Sequence, residues 1–230
     1  MADAIQLDLE PVSDVSPSPL VSLPTGEGTL TFLVDTGSDG WLTAHPADLA
    51  RIGSKLAPDA PTVAALASTP GGRVATRLAW TTADVSLGDR QLRDLPVATT
   101  TVLPEGQGIM GNAFLDDFVV TIDWPAGVLY LDPVAGDPHP DVPMSVSPTW
   151  HDGYVVGTIV EGAPGTAGLA LGAPILAIDG QDVTGDTFGD FCSWLAGPAT
   201  RTSAELTIAG EPARTFVSAP VGDFFAPLVP

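Results

Sequence analysis

Apolar and polar positions alternate along much of the chain in short runs, and glycine or proline closes most of them. A period of two predicts half-buried strands, and the punctuation predicts the turns between them. Ile5 to Leu9 predicts a first strand, and Pro11 to Pro24, rich in Pro and Ser, a loop or a broken edge strand. After the turn Gly26-Glu27-Gly28, Leu30, Phe32 and Val34 line one face of a strand that runs out into Asp35-Thr36-Gly37-Ser38. Pro46 opens a short helix, Ala47 to Lys55, with Leu49 and Ile52 facing inward. Pro70-Gly71-Gly72 separates a polar run from a strand at Val74 to Trp80. Two hairpins follow, one turning at Gly88-Asp89-Arg90-Gln91 and one at Trp124-Pro125-Ala126-Gly127, between Phe118–Asp123 and Val128–Leu131.

The pattern then breaks. Residues Pro133 to Pro148 carry five prolines and no periodic apolar positions, which is the composition of a linker. Beyond it, Tyr154 to Val160 and Ile175 to Ile178 predict strands, and Ala204 to Ile208 with Arg214 to Val217 a last hairpin. Thr187 to Leu195 predicts an amphipathic helix, with Asp186 as its N-cap and Phe188, Phe191, Cys192 and Leu195 on one face. The expected organisation is a first domain over 1–135, a linker over 136–148, a second domain over 149–219 and an apolar tail over 220–230 containing Phe224-Phe225 and Leu228-Val229.

Composition narrows the function. The 230 residues are 44% hydrophobic, enough for one or two packed domains. The net charge of -20, from 28 acids against 8 bases, excludes nucleic acid and anionic membrane surfaces as partners, since both require a basic face. Cys192 is the single cysteine, so there is neither an intrachain disulfide nor a cysteine metal cluster, and we expect it in the core. His45, His139 and His151 lie far apart without zinc-binding spacing, so no metal and no cofactor is expected. No apolar run reaches 18 residues, so no membrane span is expected. The start, Met1-Ala2-Asp3-Ala4-Ile5, lacks a basic region followed by an apolar one, which predicts a cytoplasmic protein; a trimmed export leader would make it periplasmic or secreted.

Two stretches carry candidate chemistry. A carboxylate ending a buried strand is partly desolvated, and that costs free energy unless hydrogen bonds or function compensate. Asp35-Thr36-Gly37 is such a group, although the same tripeptide is ordinary turn chemistry. About seventy residues later comes Gly108-Ile109-Met110-Gly111. Phe32-Leu33-Val34-Asp35-Thr36-Gly37-Ser38 resembles the catalytic turn of aspartic proteases, and Gly108 to Gly111 resembles the element that supports that turn. Gly111-Asn112-Ala113-Phe114-Leu115 followed by Val120-Thr121-Ile122-Asp123 resembles the C-terminal half of bacterial retropepsin-like, single-lobe (clan AA) members. This likeness covers roughly residues 5 to 133. The second domain resembles a PDZ domain of the bacterial type through Gly162-Ala163-Pro164, Ala167-Gly168-Leu169 and Ile175-Leu176-Ala177-Ile178-Asp179-Gly180. It departs from that pattern at Gly172-Ala173-Pro174, and only Trp150-His151-Asp152-Gly153 stands where a carboxylate-binding glycine loop would precede Tyr154.

These resemblances imply a mainly β fold: a closed β-barrel of the acid-protease kind, followed by a PDZ-like, partly open barrel with one or two helices. They imply Asp35, Thr36 and Gly37 as catalytic residues, supported by Ser38, Ile109, Met110 and Gly111, with Pro70, Gly71, Gly72 and Arg73 as a flap over the substrate. Ser38 is expected to hydrogen-bond the outer oxygen of Asp35, and Asp39 to add a second negative charge nearby. Carboxylate-catalysed peptide hydrolysis needs two carboxyls sharing one proton, one acting as base and the other as acid. The chain has one Asp-Thr-Gly and no Asp-Ser-Gly, so the second carboxyl must come from another chain, and a C2 homodimer is the natural solution. The expected function is a homodimeric aspartic endopeptidase acting on an extended polypeptide. Its PDZ domain, with a peptide ligand of its own, would recruit substrate or regulate access. Two alternatives stay open: a non-catalytic scaffold that keeps the protease-like fold, and a half-site completed by a different partner chain.

Overall fold

The computed structural model describes residues 4–10, 18–25, 28–38, 40–58, 60–69, 72–87, 90–134, 144–195 and 203–217. Asp39, Pro70 and Gly71, residues 136–143 of the expected linker, and the tail 220–230 lie outside them. The chain opens with β1 (Ile5–Asp8), β2 (Leu20–Thr25), β3 (Gly28–Val34) and β4 (Leu42–Ala44), followed by a 3-10 helix, Pro46–Ile52. Then come β5 (Thr62–Thr69), β6 (Gly72–Leu87), β7 (Arg90–Thr99), β8 (Gln107–Met110), α1 (Asn112–Leu115), β9 (Phe118–Asp123) and β10 (Val128–Pro133). The remainder holds β11 (Val146–Trp150), β12 (Tyr154–Val160), β13 (Ile175–Ile178), β14 (Gln181–Asp182), α2 (Phe188–Leu195), β15 (Ser203–Ile208) and β16 (Arg214–Val217). The protein is mainly β, as its alternating pattern predicts. No helix among the described residues is long and apolar enough to cross a membrane.

Two compact units divide the chain: Met1–Ala60 with Ala79–His139, and Pro61–Leu78 with Pro140–Pro230. In the first, strands order as β6 (its residues 79–87), β7, β4, β8, β3 and β2, beside a three-stranded sheet β1-β10-β9. Leu30, Phe32 and Val34 of β3 are buried with Leu42, Met110, Phe114, Leu129 and Leu131 in one core. The segment expected as a loop or broken edge strand contains β2, which pairs with β3 from Leu20↔Leu33 to Thr25↔Gly28. Its place at the end of the strand order explains how Pro24 is tolerated, because the missing N–H has no ladder partner to lose on that side. The predicted helix at 47–55 is a shorter 3-10 turn, closed by Gly53 at φ 69°, and it buries Leu49 and Ile52 as expected.

The second unit holds β11, β12, β5 and the 72–78 part of β6 as neighbours, and a four-stranded sheet β14-β13-β15-β16. Its core gathers Val146, Tyr154, Val156, Ile178, Phe191, Leu206 and Phe216. Two of its strands depart from the pattern-based reading. The polar run before Pro70 is β5, which pairs antiparallel with β12 at Val63↔Val160, Ala64↔Ile159 and Ala65↔Thr158. β11 begins inside the proline-rich stretch, and the β11–β12 register shifts between Ser147, opposite Thr158, and Pro148, opposite Val156, so the bulge lies on β12 and Gly157 is the residue left without a partner.

α2 also differs in detail. Thr187, not Asp186, caps it: the Thr187 N–H donates to Asp190 Oδ2 at 2.8 Å and the Asp190 N–H donates to Thr187 Oγ1 at 3.4 Å, a reciprocal box. Only Phe191 of the expected inward face is buried, packed edge-on against Tyr154 at 5.4 Å between ring centroids. Phe188 and Leu195 are each 57% exposed, and Cys192 is exposed rather than in the core.

Candidate active site

Leu30, Phe32 and Val34 keep one face of β3 buried as far as its last residue, and Asp35 follows at the rim of the core, half-buried. β8 lies parallel to β3 with Val34 opposite Met110, and antiparallel to β4 with Leu42 opposite Met110. The Asp35 N–H extends that ladder by donating to the Met110 carbonyl at 3.0 Å. The chain then turns back on itself: the Ser38 N–H donates to the Asp35 carbonyl at 3.1 Å, and the Gly37 N–H donates to Asp35 Oδ1 at 2.8 Å. A charge-assisted bond of this kind holds the carboxylate in one orientation. Thr36 and Gly37 are exposed at the tip of the turn.

The second motif braces this turn from below. The Gly111 N–H donates to the Trp41 carbonyl at 2.9 Å, the Asn112 N–H to the Ser38 carbonyl at 2.7 Å and the Ala113 N–H to the Gly40 carbonyl at 3.1 Å. The approach is so close that a Cβ on Gly111 would lie 2.3 Å from the Gly40 carbonyl oxygen and 2.9 Å from Ser38 Oγ. Gly108 is under the same constraint, since its Cβ would meet the Phe32 ring at 2.5 Å and the Thr43 carbonyl oxygen at 2.8 Å. Glycine here answers a packing demand, because β8 is threaded between β3 and β4.

Asp35, Thr36, Gly37, Ser38, Ile109, Met110 and Gly111 are therefore brought together in the first unit. Met110 contributes its carbonyl to Asp35 and a fully buried side chain to the core, while Ile109 pairs with Leu33 and Thr43. Among the described hydrogen bonds none joins Ser38 Oγ to Asp35; the Ser38 side chain instead lies against Gly111. Of the four expected flap residues, Pro70 and Gly71 lie outside the described residues. Gly72 and Arg73 fall in the second unit, where an Arg73 guanidinium N–H donates to the Trp150 carbonyl.

Two residues escaped the sequence reading. Asn112 Nδ2 donates to the Thr36 carbonyl at 2.7 Å, the one described side-chain bond from α1 to the turn. The signal for it was its place directly after Gly111. Asp48, 1% exposed, accepts the Gly106 N–H at 2.7 Å and pairs with Arg51 at 3.2 Å, and the Gly106 carbonyl accepts the Thr31 N–H at 3.2 Å. It thereby ties the 3-10 helix to the loop that delivers β8. A buried carboxylate on a short helix leaves no trace in hydrophobic periodicity.

The site is thus a half-buried carboxylate with a backbone N–H aimed at it, on a turn pinned by a glycine that admits no side chain. Residues 21–114 match the aspartyl protease family. The matched segment holds both the Asp35 turn and Gly111-Asn112, and it ends at Phe114 in α1. Among solved structures, the chain is similar to a retropepsin-like aspartic protease from Rickettsia conorii, at 16% identity and a TM-score of 0.36, over 56% of this chain and 88% of that one. No curated protein matches the chain.

Proposed function

We propose that the protein is an aspartic endopeptidase whose active site is completed by two copies of the chain, each supplying Asp35. The observation that carries this reading is the Asp35 turn itself, with its carboxylate at the end of a buried strand, the Gly37 N–H on Oδ1 and the Gly111 brace beneath. The match of residues 21–114 to the aspartyl protease family supports the class of chemistry. The single Asp-Thr-Gly in the sequence supports the need for a second copy. In the dyad, one ionised carboxylate takes a proton from water while the other, protonated, hydrogen-bonds the scissile carbonyl. Water then attacks the carbonyl carbon, and the proton passes to the leaving nitrogen as the C–N bond breaks. Thr36 links the two turns across the axis, Gly37 orients the carboxylate, and Ser38, Ile109, Met110 and Gly111 hold the turn.

For the second unit we propose a PDZ-like module that binds peptide and either recruits substrate or regulates access. The antiparallel pairs β11–β12 and β13–β15–β16, with α2 packed through Phe191, support that reading. The test is cleavage of a peptide library from acid to neutral pH by the wild type and by Asp35→Asn. Wild-type cleavage that the variant loses by at least about a thousandfold supports the proposal. Equal turnover by the two removes Asp35 from the chemistry.

A further inference from the structure

Asn112 lies just past the supporting motif, and its position relative to the turn gives it a specific lever on the carboxylate. Its Nδ2 donates to the Thr36 carbonyl oxygen at 2.7 Å while its own N–H donates to the Ser38 carbonyl at 2.7 Å. A carbonyl can only accept, so the amide must present its nitrogen and not its oxygen to Thr36. The Thr36 carbonyl and the Gly37 N–H are opposite ends of one peptide group, and that group is planar and rigid. Its other end is the N–H that donates to Asp35 Oδ1 at 2.8 Å. Fixing the oxygen therefore fixes the direction of the N–H. A donor on the oxygen also polarises the peptide, which strengthens the N–H as a donor in its turn.

The geometry points to Asn112 as a positioning residue that acts on Asp35 through the Thr36–Gly37 peptide. Its side chain acts at one remove from the Asp35 carboxylate: it sets the aim and the strength of the Gly37 N–H, the one backbone donor to that carboxylate among the described residues. The inference rests on the proteolytic reading of Asp35. It adds a residue outside both sequence motifs and a route by which it works.

Two substitutions separate this role from a merely structural one. Asn112→Ala removes the donor and should lower kcat about three- to tenfold with KM within about twofold, the effect of one lost hydrogen bond acting on the transition state. Asn112→Asp keeps the size and makes donation depend on protonation. Among the described residues of the turn, of α1 and the two residues after it, and of β3, β4, β8 and β9, the titratable groups are Asp35, Asp116, Asp117 and Asp123. All are carboxyls, so none supplies a substitute donor once ionised. The activity of Asn112→Asp relative to wild type should therefore rise as pH falls and its own carboxyl gains the proton it needs to donate. The exchange rate of the Gly37 amide, read by hydrogen exchange, should increase in Asn112→Ala whether or not peptide is hydrolysed.

An Asn112→Ala variant with wild-type kcat, or with an unchanged Gly37 exchange rate, overturns the inference. So does an Asn112→Asp deficit that is the same at every pH, because the loss would then not follow donation. If the wild type itself shows no Asp35-dependent hydrolysis, the proteolytic reading fails. The Gly37 exchange rate then decides by itself whether Asn112 holds the peptide.

Discussion

At Gly111 the available space is set by backbone on both sides of the contact: the Gly40 carbonyl oxygen stands 2.3 Å from the position of an added Cβ. Backbone held by its own hydrogen bonds yields less than a side chain tip, and here the Ala113 N–H already binds that oxygen. Gly111→Ala should therefore cost about 1–3 kcal/mol through overpacking. Thermal unfolding should show the transition of the first unit lowered by several degrees, at about 2–4 °C per kcal/mol for a chain of this size. Peptide cleavage should fall with it, since the turn cannot keep its place. A variant with unchanged Tm would mean that the turn relaxes freely and that Gly111 is not its brace. Residues of this kind were legible in the sequence because a backbone demand selects a residue type: glycine where no side chain fits, and aspartate at the end of an apolar strand. Asn112 and Asp48 were not legible, because an amide beside a glycine and a carboxylate on a short helix fit many unrelated environments.

Elements were legible where both faces of a pattern were written locally. β3, β9, β10, β12, β13 and β15 alternate or run apolar between glycine turns, and the structure places strands there. β5 was not legible: Ala64, Ala65 and Ala67 with Ser68 have no strong period, and one of its two neighbours, β12, lies far along the chain. β5 and its neighbour, the start of β6, are joined to β12 by more than the β5–β12 ladder. Glu161, directly after β12, accepts the Thr62 hydroxyl and pairs with Arg77 at 2.6 Å. The Thr62 hydroxyl first, and then the Arg77 guanidinium, hold the Glu161 carboxyl below the usual carboxylate range, against the opposing pull of partial burial. A folded-state value below the unfolded one means that the stabilisation is complete above about pH 4.3 and is lost as pH falls through the folded value. Arg77 is 73% exposed, so the pair counts as a surface pair of about 0–1 kcal/mol. Tm measured against pH for wild type and Glu161→Gln should thus differ by a degree or two near neutrality, wild type higher, and converge in acid. A difference that stays constant or widens in acid would contradict this role for Glu161.

For the whole molecule, charge and stoichiometry pull in opposite directions. Each chain carries a net charge of -20 at neutral pH, so two copies repel, while one Asp35 per chain demands that they meet. Protonation of surface carboxyls relieves that repulsion, so the proposed dimer should tighten as pH falls. A dyad shared between two chains has a stoichiometric signature, read by mixing wild type with Asp35→Asn at fixed total protein. The mixture is held at a concentration where the wild type is dimeric and left until the chains have exchanged. An Asp–Asn pair has a single ionisable carboxyl and cannot act as acid and base at once. With half the chains replaced, random pairing leaves about one quarter of the dimers with two aspartates, so peptide cleavage should fall to about a quarter of the all-wild-type rate. A fall to only about one half, in proportion to the wild-type chains present, would mean that each chain acts alone and that no dyad is shared.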